Sequence, residues 1–143
     1  MSSIPDLSSP SQARVRPRHK QKWKKSMAKT KRNLGQEYIS VKTGKSVVAR
    51  TIGRPCSCRK KCFQRVGEEN IKEIFSDFWN SGSWDLQTSY IQKLISITKV
   101  KRKPTCSPSK QRTCARIYTV RVSGEYIEIC KTAFVSMHEQ GQE

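Results

Sequence analysis

Three cysteines fall within seven residues, at Cys56, Cys58 and Cys62 of the segment IGRPCSCRKKCF. Glycine, proline and cysteine crowd this stretch too closely for a helix or a strand. It predicts a knuckle, a compact turn whose shape is set by whatever its thiols bind. At C-x-C-x3-C spacing the three sulfurs can converge on one ion, because the turns between them are short. Zinc needs a fourth ligand for a closed tetrahedral structural site. Cys130, at the end of a predicted hairpin, is the favoured candidate, since it would tie the knuckle to a sheet. Cys106, Cys114 and His138 compete for the same place. Arg59, Lys60 and Lys61 lie among the thiols and would help hold them as thiolates. The spacing departs from a C-x2-C pair and no second close pair exists, so scattered structural thiols and disulfides stay open. A catalytic zinc is disfavoured, because an all-cysteine shell leaves no open position.

Length and charge narrow the rest. One domain with a limited core is the expectation for 143 residues of which 34% are hydrophobic. The mean hydropathy of -0.73 implies that part of the chain does not pack. Lys and Arg number 29 against 11 Asp and Glu, a net charge of +18. That excess opposes compaction and attracts polyanions, so a phosphate backbone is the simplest partner and an anionic membrane the second. MSSIPDLSSP lacks the apolar run of a signal peptide, and no apolar stretch offers a membrane span. A reduced, nuclear or cytosolic setting is expected, with the nucleus preferred.

Along the chain, residues 1–13 read as disordered. Residues 14–32 hold ten Lys or Arg and no acid, and form a basic arm over 1–32 that is disordered or orders only against a partner or the body. Within it Trp23 and Met27 share a helical face that would dock. Tyr38, Ile39, Val41, Val47 and Val48 flank Thr43-Gly44-Lys45 as two short strands and a turn. Residues 68–80 carry an apolar stripe, Ile71, Ile74, Phe75, Phe78 and Trp79, at helical spacing. Glu68 and Glu69 suit its amino end. Asp85 is expected to cap a second helix running through Ile97, with Leu86, Tyr90, Leu94 and Ile97 on one face. The short link predicts an antiparallel helix pair in the core. Residues 99–112 read as a basic loop. Alternation on both sides of Ser123-Gly124-Glu125 predicts a β-hairpin over 116–129. Cys130, Phe134 and Met137 then suggest a short closing helix.

No catalytic arrangement is evident. His19 and His138 sit in no acid–base or nucleophile motif, and the Glu73–Asp77 pair reads as an ordinary polar helix face. TGKS at residues 43–46 lacks the glycine spacing of a phosphate-binding loop. The basic groups fall in three regions, 14–32, 50–65 and 99–116. The nucleic-acid-contacting candidates are Arg16, Arg18, Lys20, Lys22, Trp23, Lys24, Lys25, Lys29, Lys31 and Arg32 in the first. Arg50, Arg54, Arg59, Lys60 and Lys61 follow in the second, and Lys101, Arg102 and Lys103 in the third. Lysines would neutralise phosphates, and some arginines would enter a groove. The bland alternative is a solubilising charge or an import signal, a composition that RPRHKQKWKK and KVKRKP both have. Trp79 reads as core, Trp84 is open, and Trp23 alone lies in a basic run.

KWKKSMAKTKRNLGQEYIS, GKSVVAR, PCSCRKKCF, IFSDFWNSGSWDLQTSYI and IYTVRVSGEYIEICKTAF resemble, in this order, the motifs of an arthropod family of mostly uncharacterised, transposase-related proteins. The resemblance spans roughly residues 22–137. It implies that Cys56, Cys58, Cys62 and Cys130 are the recurring cysteines, that Cys106 and Cys114 are additions, and that Trp23 and Arg32 belong to a recurring basic motif. It also implies a region that precedes a larger part assigned to catalysis. With the sequence ending soon after Phe134, a transposon-derived DNA-binding module is expected, as a fragment or a domesticated stand-alone protein. The combined expectation is a small α+β domain over 33–138 with a tail at 139–143. It comprises a helix pair and a β-hairpin closed by a four-cysteine Zn2+ site, plus the basic N-terminal arm. It binds duplex DNA, is not an enzyme and engages no membrane. The runner-up is a protein-interaction adaptor using an exposed part of the Ile71–Trp79 face.

Overall fold

A computed structural model describes residues 18–19, 22–101 and 114–139. Five helices and five strands lie along them, in the order α1 (Lys24–Asn33), β1 (Tyr38–Ile39), β2 (Ser46–Val47), α2 (Cys62–Val66), α3 (Glu68–Asn80), α4 (Trp84–Leu94), β3 (Ile95–Lys99), β4 (Cys114–Val122), β5 (Glu125–Ile129) and α5 (Lys131–His138). The fold is α+β. Its main sheet is antiparallel in the order β3-β4-β5, and β1 and β2 form a separate two-stranded ribbon.

α3 spans the interval its apolar stripe predicts. Ile71, Ile74 and Phe78 are buried, and Phe75 and Trp79 are half-buried. Gly67 separates it from α2 at φ +85, a conformation that would strain a side-chain-bearing residue. The predicted hairpin is also present. Val122 faces Glu125 across a two-residue turn, and both Ser123 and Gly124 have positive φ, as a tight primed turn requires. Tyr118, Val120 and Val122 of β4, with Ile127 and Ile129 of β5, turn one face of the sheet toward the core. There they meet Ala133, Phe134 and Met137 of α5, Ile71 and Ile74 of α3, and Cys62 and Val66 of α2.

The second helix departs from expectation. It stops at Leu94, and Ile95–Lys99 instead form β3, which pairs with β4 from Ile95↔Tyr118 to Lys99↔Cys114. Ile95, Ile97 and Thr98 are β-branched, and a neighbouring strand offers ladder hydrogen bonds that outweigh helical periodicity. The N-cap is Ser83 rather than Asp85, which lies in the first turn. The expected apolar face does not form, since Leu86 and Ile97 are exposed and only Leu94 of that set is buried. The expected helix pair is likewise altered, because α3 packs more extensively on α5 than on α4. An aromatic cluster joins these helices: Phe78 meets Tyr90 and His138, and Phe134 meets His138 and Tyr118.

In the basic segment, Lys24–Asn33 are helical, but Trp23 and Met27 are about half exposed and do not dock as expected. α1 is anchored through its carboxyl end instead. Gln87 donates from Nε2 to the Asn33 carbonyl at 2.8 Å, and Arg50 N–H donates to the Gly35 carbonyl at 2.8 Å. Gly35, at φ +66, lies under the Trp79 ring, where an added Cβ would come within 2.7 Å of the indole. Arm residues 1–17 and 20–21 and tail residues 140–143 lie outside the described residues, as do loop residues 102–113.

Gly35→Ala is therefore expected to lower the unfolding free energy by about 1–3 kcal/mol, through backbone strain and displacement of Trp79. Urea unfolding followed by tryptophan emission measures it. A variant as stable as the parent would contradict this packing.

Candidate functional site

The stretch before the first cysteine has no regular structure, yet α5 and its C-cap hold it in place. Gly53 N–H donates to the Ser136 carbonyl at 2.9 Å, and Thr51 donates through N–H and Oγ1 to Glu139 Oε2 at 3.3 Å. A Cβ at Gly53 would sit 3.0 Å from Ser136 Cα, so this close approach favours glycine. The chain then reverses. Lys61 N–H donates to the Cys58 carbonyl at 3.0 Å, and Lys61 adopts the left-handed region at φ 45. That turn returns Cys62 to Cys58, and Cys62 opens α2.

Cys56, Cys58, Cys62 and Cys130 converge, with their four Sγ atoms within 4.8 Å of one another. Cys56–Cys58 and Cys58–Cys62 are each separated by 3.5 Å between sulfurs. A tetrahedral shell with metal–sulfur bonds of about 2.3 Å places its sulfurs roughly 3.8 Å apart, so the spacing fits a single metal ion. Cys130 is thus the fourth member, as expected from its place after the hairpin. It occupies the N-cap of α5, where its Sγ accepts from Ala133 N–H at 3.3 Å. Its own N–H donates to Cys62 Sγ at 3.3 Å. The amino ends of α2 and α5 both meet the cluster, and their dipoles favour negative sulfur.

Of the competing ligands, Cys114 and His138 are held away from the cluster. Cys114 is exposed at the start of β4, opposite Lys99, and Cys106 lies outside the described residues. His138 is buried in the aromatic cluster, where Nδ1–H donates to the Phe134 carbonyl at 2.8 Å. Burial lowers its pKa, so it sits there neutral. None of the five described cysteines is in a disulfide.

The four thiols are not equivalent. Hydrogen bonds from the Cys62 side chain and backbone lower the Cys58 pKa to about 6. Burial pushes Cys62 up to about 12, against the opposing Cys130 N–H, and burial also raises Cys130 against the Ala133 N–H. A cation between them reverses that cost, because a coordinating thiol is deprotonated outright.

The basic candidates distribute unevenly. Lys60 pairs with Glu128 of β5, and Arg65 donates to the Glu128 carbonyl at 3.4 Å, so these two cations fasten the knuckle to the sheet. The pair raises the Lys60 pKa and lowers that of Glu128. Arg54, Arg59 and Lys61 are exposed around the knuckle, and Arg50 is half-buried. Arg18, Lys22, Trp23, Lys24, Lys31 and Lys101 are exposed. Lys25, Lys29 and Arg32 of α1 share a groove of about 510 Å³ with Lys42, which projects from the turn after β1. Arg16, Lys20, Arg102 and Lys103 lie outside the described residues. Sequence reasoning missed Lys42, Arg65 as a tie, and Glu128. Lys42 beside a turn was the one visible signal; the other two depend on which strand the knuckle meets.

Compared with protein-family models, curated proteins and solved structures, the chain has no significant match.

Metal affinity of this cluster is expected to fall as pH falls, since protons compete for the sulfurs. Near pH 7 the lowered pKa favours Cys58 as thiolate while burial keeps Cys62 and Cys130 protonated, so metal entry displaces protons from at least the latter two. Below about pH 6 Cys58 must also lose a proton, and the dependence steepens by one. Chelator-competition titrations across this range read the slope, and a flat profile would exclude four-thiolate coordination.

Proposed function

We propose that this chain is a zinc-stabilised, non-catalytic module that binds duplex DNA in the nucleus. One observation carries the nucleic-acid reading: the charge excess is hardly neutralised within the fold. The sequence bears a net +18, and among the described residues Lys60–Glu128 is the only ion pair. Self-repulsion of that size costs stability in the free protein, and a phosphate backbone relieves it while releasing counterions. Lysines supply most of that neutralisation, and arginines near the knuckle add groove contacts. Derivation from the leading region of transposase-related proteins belongs to the same proposal and rests on the ordered motifs named above.

Zinc suits the donor set, because four thiolates at tetrahedral spacing are the ligands of its closed structural sites. Cys56, Cys58, Cys62 and Cys130 would hold it, and its chemistry there is cross-linking. It would join the knuckle, the start of α2 and the β5–α5 junction.

A second reading, a protein-interaction adaptor, is favoured by a different feature. A hollow of about 630 Å³ lies between the knuckle segment, α2 and α3. Ile52, Pro55, Phe63 and Ile71 line it, with Glu68 and Lys72 among its polar residues. Most of the Ile71–Trp79 stripe faces the core, so Ile71 is the part that reaches this hollow.

Salt separates the two. DNA affinity is expected to fall steeply and log-linearly as salt rises, whereas docking of an apolar partner segment in the hollow persists. DNA affinity unchanged from low to moderate salt would sink the first reading. For the metal, native mass spectrometry should find one zinc per chain. Cys58→Ser should lose it, together with the folding free energy coupled to binding. A metal-free chain with all thiols reduced and undiminished stability would refute the assignment, and a bound mass matching iron would change the metal.

A further inference from the structure

We propose that the groove between α1 and the β1–β2 ribbon seats one phosphodiester strand of duplex DNA, held by Lys25, Lys29, Arg32 and Lys42. This inference rests on the DNA-binding reading and assigns it a place. Three of the cations come from one helix. Positions 25, 29 and 32 are spaced i, i+4, i+7, so they stand on the same face of α1. Along the axis they rise by about 6 Å and then about 4.5 Å. A row of like charges at this spacing weakens a helix by itself. It becomes favourable when a row of anions lies beside it. Lys42 closes the groove from the opposite wall, and no acidic residue among the described ones lines it. None of the four cations joins an ion pair among the described residues.

The remaining lining suits a sugar–phosphate chain. Ala28 and Val41 provide small apolar surface between the cations, and Tyr38 and Ser40 add hydroxyl groups. Ser40 Oγ accepts from Thr43 N–H at 3.4 Å, which leaves its O–H to donate to a phosphate oxygen. Arg32 presents a planar fork that takes two such oxygens at once. Being concave, the surface admits a narrow anionic strand and not the flat headgroup layer of a membrane. Among the described residues it also lacks a stacking platform for unpaired bases. Tyr38 is half-buried, and exposed Trp23 precedes α1 with Met27 following at helical spacing, about half a turn away from the Lys25 face. A duplex backbone, whose bases stay stacked, is therefore the occupant.

The test uses the full, zinc-loaded chain and a labelled duplex of mixed sequence, with anisotropy titrations over a salt series. The triple variant Lys29→Gln, Arg32→Gln, Lys42→Gln is expected to reduce the slope of log affinity against log salt by about three, close to one for each phosphate no longer neutralised. Lys42→Gln alone, at an exposed turn where folding is not at risk, should reduce it by about one. A control of equal charge, Lys93→Gln, Arg121→Gln, Lys131→Gln, should leave the slope near that of the parent. If the groove variants keep the parent slope while the parent binds, the groove is overturned and the DNA-binding reading stands. If the parent itself shows no salt-sensitive binding, both fall. Tighter binding to an RNA duplex or to a single strand than to the DNA duplex would overturn the assigned occupant.

Discussion

Convergence of four sulfurs is the meeting on which the rest of the structure turns. Cys56 and Cys58 come from a segment with no regular structure, Cys62 from the first turn of α2, and Cys130 from the cap of α5. Without a shared partner, the arrangement is costly. A non-glycine residue at Lys61 occupies the left-handed region, and two of the thiols are partly desolvated. With a cation at the centre, the same features become complementary. The helix dipoles of α2 and α5, the Ala133 and Cys130 N–H groups and the ion all act on negative sulfur.

With a metal bound, that clamp would compensate for a small core. The buried apolar side chains form one cluster between the sheet, α2, α3 and α5, and Cys62 itself belongs to it. The sulfur site and the hydrophobic core are therefore one structural unit. The Lys60–Glu128 pair and the Arg65 hydrogen bond reinforce the same junction from outside, though exposed pairs contribute little each. α1 and the ribbon sit apart from this unit and attach through Gly35, Asn33 and Leu34 at the α3–α4 turn. Scaffold and basic groove are thus separable in the fold, which lets charge accumulate on α1 without intruding on the core.

Much of the fold is legible in the sequence because local patterns and tertiary demands agree. The Ile71–Trp79 stripe, the Ser123-Gly124 turn and the spacing from Cys130 to Met137 each specify one local structure, and each forms. The Ile95–Lys99 segment is ambiguous because Ile95 and Ile97 continue the helical spacing of Ile91 and Leu94 while alternating with each other as in a strand. Trp23 and Met27 mislead for a related reason: sharing a helical face does not supply anything for that face to pack against. At the sulfur site the three close cysteines are visible in the sequence, while the fourth depends on where the hairpin ends.

What the sequence determined by itself is the set of short-range elements, the knuckle and the excess of positive charge. These follow from residue type and spacing within a few turns of chain. Only the tertiary structure decided that Cys130 rather than Cys114 or His138 completes the cluster, that β3 joins the hairpin, and that Lys42 faces Lys29 and Arg32 across a groove. These are meetings between residues distant in sequence. Their outcome depends on which surfaces bury each other and which hydrogen bonds remain to be satisfied, and no local spacing encodes that.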